Sequence, residues 1–590
     1  MERIVQCLSP VHIGTGKELE PFDYIVDGQR YIRVHLDAVL ERMTPEQADN
    51  LATWVSERAD QMVELGRRQS DDIRREMQLS NFPGADAALR EALRTDAALA
   101  RYHGDRGFER NLQVREQVKS ADDTPLIPGS SLKGALRTAL AFAALEDMKQ
   151  EERQELRQSF ERVVRQAEEA KKRGHNRDIN RLKERIGQEI EQAVFRCGEE
   201  RRGRISYGDI HYDLMRAVSI SDTYDAQAEL IVPQIYTFVE SRTRDGNTRL
   251  DAQAPLIAEA HAPGNMFRLR LQVDGGLLRA ISRNRRRGKW INFEQRVPRA
   301  FGPEVARLLP GASDAQIEQA VINRLETSAQ CFAKAIVTAE QHWENEHGHS
   351  ATRDLKDFYN RLEELIGKGQ VPLRLGWGSH FMATTLLLVL KKDASWRPIL
   401  ERCFRAFDIG VPPRRHRDRS RESEHQIALD DFPRSRRLIA AGRRPVAPLG
   451  WIALGPTMEE LPGPLVEMER LLARTQESEP RREVRPQASG YERGGRSGPG
   501  SEPRPERPLP QVKLPKPVPK PSPRKGPQPG DRVNVEIVAN DNAQVTVKVL
   551  DGQGEEVQFR QSYYPGRPGE KRKMKIRAVD AQGKITQVAP

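Results

Sequence analysis

The residues best suited to chemistry stand in Thr124–Leu145, TPLIPGSSLKGALRTALAFAAL. A Pro128-Gly129 turn leads into an expected helix, with Lys133 in its first turn and Arg137 four residues on. A cation there stands at the end where the helix dipole already places partial positive charge. Ser130 is the expected N-cap, Ser131 adds a second hydroxyl, and Gly129 and Gly134 leave room for another backbone. Free N–H groups, hydroxyls and a lysine at a helix start equip an anion site, with phosphate the natural ligand. A capped amphipathic helix with an exposed lysine would use the same residues, because Leu132, Ala135, Leu136, Ala139 and Leu140 form an apolar stripe.

Two glycine-bearing stretches have related chemistry. In VPLRLGWGSHFMATTLLLVL, a strand at Val371–Leu375 precedes the loop Gly376-Trp377-Gly378-Ser379, and a helix follows from about Phe381. Two glycines let a backbone approach a ribose-phosphate chain, and Trp377 offers a stacking face. Near the start, His12-Ile-Gly14-Thr-Gly16-Lys17 follows a short β-like run at Arg3–Leu8. Read alone, that GTG triplet is an ordinary turn.

Catalytic constellations are sparse. His12 is the best general base, yet no second acid or base with matched geometry can be named. His342, Glu344, Glu346, His347 and His349 are ligand types without the HExxH spacing of zinc proteases, so a polar helix end explains them better. Asp122 and Asp123 read as turn formers before the helix. Cys7, Cys197, Cys331 and Cys403 are far apart in sequence, which rules out CxxC-type zinc binding and fits a reducing cytosol. No metal or cofactor is expected.

The elements that must position these residues come from a chain of 590 residues, long enough for several folded units. Lys and Arg number 96 against 85 Asp and Glu, a net +11 that favours a polyanionic partner. No basic n-region precedes an apolar core at the N-terminus. The longest apolar run, Met382–Leu390, is too short to cross a bilayer, so a cytoplasmic protein with no membrane partner is expected. Phe22–Val26 and Tyr31–Val34 read as a hairpin about Asp27-Gly28. Thr44-Pro45-Glu46-Gln47 is a capping box opening a charged helical insertion, about 44–100. A second helical insertion spans about 146–195. Strand alternation recurs in Arg204–Tyr212, Ala217–Thr223, Leu230–Glu240, Ala254–Ala262 and Pro263–Asp274. Helical patterns occupy Asp314–His342 and Arg353–Leu365. Ser282–Lys289 and Arg414–Arg421 are basic runs in expected loops.

Residues 473–529, rich in Pro, Arg, Gly and Ser, read as a disordered linker. Five short alternating strands then follow within 530–590, the pattern of a small OB- or S1-like barrel. Phe559, Tyr563 and Tyr564 beside Arg560 and Arg567 would suit single-stranded nucleic acid.

IPGSSLKGALRTAL, the glycine-rich loop at 376–379, Ser221-Asp222 at a strand end, and FPRSRRLI with PLGWIAL in 430–454 occur in one order along the chain. In that order they resemble the RAMP superfamily, the RNA-binding subunits of CRISPR effector complexes. More narrowly, they resemble the subunits that cap the 3′ end of the crRNA filament in type III-A (Csm) complexes. The resemblance covers roughly residues 1–455. It implies an α+β fold of two ferredoxin-like (RRM-like) domains, 1–225 and 226–472, carrying the helical insertions. It also implies a non-catalytic role in crRNA binding, 3′ maturation and antiviral defence. The partners implied are crRNA, other RAMP subunits of the complex and host nucleases that trim the guide. The RNA contacts it implies are His12, Gly14, Gly16 and Lys17 in the first loop, Ser130, Ser131, Lys133 and Arg137 at the helix, and Arg374, Gly376, Trp377 and Gly378 in the second loop. Some relatives process repeat RNA, so an endoribonuclease with His12 as base is the competing reading.

Overall fold

The computed structural model describes residues 1–472 apart from 65–72, 74–76, 97–98, 108–112, 225–227, 243–247, 254, 284–287, 347–351, 411–428 and 431. Beyond these it describes residues 532–589 apart from 542–543, 551–555, 561–568 and 580–584. Met1–Val484 and Arg485–Pro590 are two separate compact units. The linker expected at 473–529 lies outside the described residues, as do Arg414–Arg421 and residues 284–287 of the basic run at Ser282–Lys289.

The first unit is built around the strand Glu2–Cys7, whose residues are buried from Arg3 onward. It lies between Trp451–Gly455 and Met266–Val273, with Val5 opposite both Leu454 and Phe267. Val371–Arg374 and Val218–Ile220 complete the sheet at its two edges, and every pairing in it is antiparallel. Met266–Val273 alternates as expected, burying Phe267, Leu269, Leu271 and Val273.

Two helices complete this layer, Gly129–Asp147 and Asp314–Glu346. They pack on each other, with the Phe142 and Phe332 rings 5.0 Å apart. The first is more deeply buried than a one-sided stripe requires: Ala139 through Leu145 are all buried. The layer runs strand, helix, strand, strand, helix, strand along the chain, and Trp451–Gly455 then adds a fifth strand between the lead strand and Val371–Arg374. Its segments come from both sides of residue 225.

A second sheet holds Arg444–Pro448, Ser435–Ala441, Gln234–Arg242, Leu256–Ala258, Val114–Gln117 and Gly14–Leu19 in that order, with Thr248–Ala252 paired to Gln234–Arg242. A third holds Ala260–His261, Leu230–Val232, Ala100–Arg106, Arg30–Val34 and Tyr24–Asp27. Each contains one parallel pair, so the unit is α+β with mixed sheets. The expected hairpin is present, with Asp27 opposite Arg30. So is the capping box: the Gln47 N–H donates to Thr44 Oγ1 at 3.2 Å, and the Thr44 N–H donates to Gln47 Oε1 at 3.0 Å.

The strand expected over Arg204–Tyr212 stops at Ser206. Asp209 and Asp213 accept the backbone N–H groups of His211 and Met215 and draw the chain into two 3₁₀ turns instead. The 146–195 insertion is less solvated than its charge suggests. Helix Gln150–Lys172 buries Leu156, Phe160 and Val164, and the Phe160 ring meets Trp396 edge-on at 5.4 Å.

The second unit contains one five-stranded antiparallel sheet ordered Glu556–Arg560, Gln544–Val549, Arg532–Asp541, Lys571–Val579, Ile585–Ala589. Val533, Val535, Ile537, Val545, Val547 and Val549 form the centre of its core. No described helix in either unit is long and apolar enough to cross a membrane.

Candidate nucleic-acid interface

The two glycine loops, more than 350 residues apart in sequence, meet backbone to backbone. The Trp377 N–H donates to the His12 carbonyl at 2.8 Å. Gly376, at φ +81°, lies so close that a Cβ would stand 2.5 Å from that same oxygen. Gly378, at φ +97°, meets Leu449, where a Cβ would stand 2.8 Å from Cδ1. Both positions therefore need glycine for conformation and for space. Gly14–Leu19 runs exposed beside this contact as far as Glu18, with Gly16 at φ +87° and Lys17 in solvent.

Half-buried Trp377 carries two cations. The guanidinium carbons of Arg115 and Arg437 each lie over the indole, 4.7 Å from its centroid. Both arginines come from the second sheet, on strands separated by two others. Arg115 has Glu18 at 3.5 Å. Among the described residues Arg437 has no carboxylate within ion-pair distance, and burial, then Arg115, draws its pKa down. Two guanidinium groups on one ring with one counter-charge at 3.5 Å form an electropositive surface.

His12 does not belong to that surface. Its ring is buried, and Nδ1 donates to the Glu259 carbonyl at 2.6 Å. It meets Trp377 edge-on with ring centroids 5.6 Å apart. Burial pushes its pKa down to about 4, so the ring is neutral at pH 7. The structure places the His12 ring inside, where it props Trp377.

Arg374 is turned inward as well. Its side chain is fully buried and bonds Glu340 at 3.0 Å, while Arg436 takes the other carboxylate oxygen at 2.7 Å. Glu340, on helix Asp314–Glu346, thereby ties the strand before the glycine loop to the strand carrying Arg437. The loop is anchored on both flanks by one buried carboxylate.

At the helix start the structure departs from the expected anion site. Pro128, not Ser130, is the N-cap residue, and Ser130 is exposed. The Gly129 N–H donates to Asp222 Oδ1 at 2.8 Å, so a carboxylate of the chain occupies the place expected for phosphate. Gly129 is required there, since a Cβ would lie 2.3 Å from the Ile220 carbonyl, whereas Gly134 faces open space. Ser131 is half-buried in the same turn. Lys133 Nζ donates to the Val218 carbonyl at 2.7 Å. Arg137 is held by Asp213 through two bonds of 3.0 and 2.9 Å, and lies over the Phe195 ring.

Tyr563 and Tyr564 lie outside the described residues, as do His347 and His349. His342 pairs with Glu346 on the helix surface at 3.1 Å, while Glu344 is buried and accepts from Thr352. Asp122 turns back on Ser120 and Thr124. Among the described residues no group of three His, Cys, Asp or Glu could hold a metal ion. Sequence reasoning missed Arg115 and Arg437. The available signal was a cation inside a short strand-like run, in VREQ and SRRLI.

The RAMP superfamily model matches residues 4–378, a span that opens in the lead strand and ends at Gly378 of the second glycine loop. The chain belongs to the RAMP superfamily. It is similar to a chain in the cryo-EM structure of a Csm–crRNA–target RNA ternary complex of a type III-A CRISPR-Cas system. That match has 22% identity and a TM-score of 0.48, and covers 77% of this chain and 99% of the other. It is also similar to Csm5 of T. onnurineus in a crystal structure, with 21% identity, 76% and 99% coverage and a TM-score of 0.42. No curated protein matches.

Proposed function

We propose that this chain is a non-catalytic crRNA-binding subunit of a type III-A (Csm) CRISPR complex, capping the filament near the guide's 3′ end. One observation carries the RNA-binding part: Trp377 under Arg115 and Arg437, beside the exposed Gly14–Glu18 stretch of the first glycine loop. Arginines supply phosphate contacts, the indole a stacking face, and the exposed Gly14–Lys17 segment further N–H groups and a cation. None of these reads a base edge, so binding tolerates any guide sequence. Membership of the RAMP superfamily and the order of motifs along the chain support the placement in a Csm complex. Two ferredoxin-like halves, neighbouring RAMP subunits and recruited host nucleases complete the reading. Work at the guide's 3′ end then belongs to those nucleases.

The endoribonuclease alternative needs a base that reaches RNA. The one candidate, His12, is turned inward and neutral with its Nδ1 proton committed. The test is to mix the purified chain with a labelled crRNA-length RNA and to follow binding and cleavage together. Tight, sequence-tolerant binding without products supports the proposal. Cleavage that disappears in His12→Ala at unchanged affinity would overturn it.

A further inference from the structure

Glu259 is the one residue between Leu256–Ala258 of the second sheet and Ala260–His261 of the third, and its carboxylate is wholly buried. A carboxylate is costly to bury unless it is both paired and hydrogen-bonded. Lys119 Nζ stands 2.8 Å from Oε2, and that lysine side chain is itself only 6% exposed. The Gln117 N–H donates to the same oxygen at 2.9 Å, and the Tyr31 hydroxyl donates to Oε1 at 3.2 Å. The main chain of Glu259 is engaged as well. Its N–H donates to the Arg115 carbonyl at 3.0 Å, and its carbonyl accepts from His12 Nδ1.

Most of these partners serve the surface around Trp377. Arg115 carries one of its two cations, His12 is its inner prop, and Gln117 pairs with Gly14 of the first glycine loop. The parallel pairing of Val114–Gln117 with Leu256–Ala258 ends where Ala258 stands opposite Arg115. Past that point the chain turns into the third sheet, and a side-chain oxygen takes the Gln117 N–H in place of a strand carbonyl. Two buried charges are a costly way to supply one acceptor, since a well-packed apolar pair of similar volume is often as stable or more so. What the carboxylate adds is a fixed register for the strand that carries Arg115.

We infer that Glu259 is a positioning residue of the RNA surface, holding the Arg115 strand and the first glycine loop in place beside Trp377. It touches no RNA itself. The inference rests on the reading that Trp377, Arg115 and Arg437 hold RNA, and extends it to a residue buried behind them.

The experiment removes both charges in the full chain, Glu259→Leu/Lys119→Met, so that net charge is unchanged and no unpaired ion is left inside. Anisotropy of a short labelled RNA is followed across a salt series, beside urea unfolding. The urea midpoint should stay near that of the unsubstituted chain, while the slope of log affinity against log salt falls by about 0.7, the loss of one phosphate contact. Arg115→Ala should lower the slope equally, and joining it to the double substitution should lower it no further. Glu259→Gln/Lys119→Met, which keeps an oxygen for the Gln117 N–H, should recover most of the slope. An unchanged slope in the folded Leu/Met variant, or a fall that adds to that of Arg115→Ala, would overturn the inference and leave the proposed function standing. Unfolding of both double variants would make the pair structural and overturn it too. An unchanged slope in Arg115→Ala would overturn this inference and the RNA surface together.

Discussion

Replacing Arg115 and Arg437 together by alanine takes two positive charges off the Trp377 indole and leaves the glycine loops joined by the Trp377 N–H to the His12 carbonyl. If each guanidinium neutralises one phosphate of a single strand, the salt slope of log affinity falls by about 0.7 per charge, or about 1.4 for the pair. Across a fourfold rise in salt, the unsubstituted chain then loses about sevenfold more affinity than the variant. Stability should respond differently. Arg437 is charged against both burial and Arg115, so its removal relieves repulsion while giving up a cation–π contact of about 0.5–2 kcal/mol. The two effects oppose, and the urea midpoint should barely move. The assay is fluorescence anisotropy of a labelled 12-residue RNA at 50, 100 and 200 mM salt, beside urea unfolding. A lower midpoint with an unchanged slope would mean that both arginines are structural and the reasoning fails.

Gly376→Ala places a methyl against the His12 carbonyl at a backbone conformation that alanine resists, so it should cost about 1–3 kcal/mol and weaken RNA binding by parting the loops; thermal unfolding with anisotropy reads both. Glu340→Gln leaves Arg374 and Arg436 buried without their carboxylate and should cost roughly 3–5 kcal/mol, seen as faster limited proteolysis of the first unit. His12 and His261 are pushed from 6.5 to about 4 by burial, so the fold holds them neutral while the unfolded chain protonates. Their contribution is complete above pH 6.5 and is lost as pH falls towards 4, up to roughly 3 kcal/mol per ring; His12→Asn/His261→Asn should flatten that arm of the stability profile. Truncation after Leu472 should leave a folded, RNA-binding core, since Arg485–Pro590 is a separate unit with its own core; loss of soluble protein would refute this.

Local features were legible because their causes are local. The capping box at Thr44, the hairpin at Asp27, and the alternation of Met266–Val273 and of the C-terminal strands all follow from neighbours in sequence. The two glycine loops were legible as loops, but not as one site. Side-chain direction was the illegible part. Arg374 looks like a phosphate ligand until Glu340, 34 residues earlier, is found beside it. Lys133 looks unfavourable at its helix end until Asp222, just past the strand Val218–Ile220 and 93 residues beyond Gly129, is found to answer the Gly129 N–H. Arg115 and Arg437 carry no motif. Only the sheet order, with Gln234–Arg242 and Leu256–Ala258 between their strands, gathers them over Trp377.

The inner position of the first strand has a consequence for biosynthesis. Glu2–Cys7 is made long before one of its flanking strands, Trp451–Gly455, and the Trp451 N–H bonds Ser9 across 442 residues. At about 5–20 residues per second, that edge waits on the order of 20–90 s for its neighbour. Throughout, an almost wholly apolar run, Ile4–Leu8 with Gln6 as its one polar side chain, has an unpaired side open to any other strand. Nascent chains should therefore lean on a holding chaperone until the closing strands emerge. A circular permutant that places 430–472 ahead of Met1 should fold with less such help.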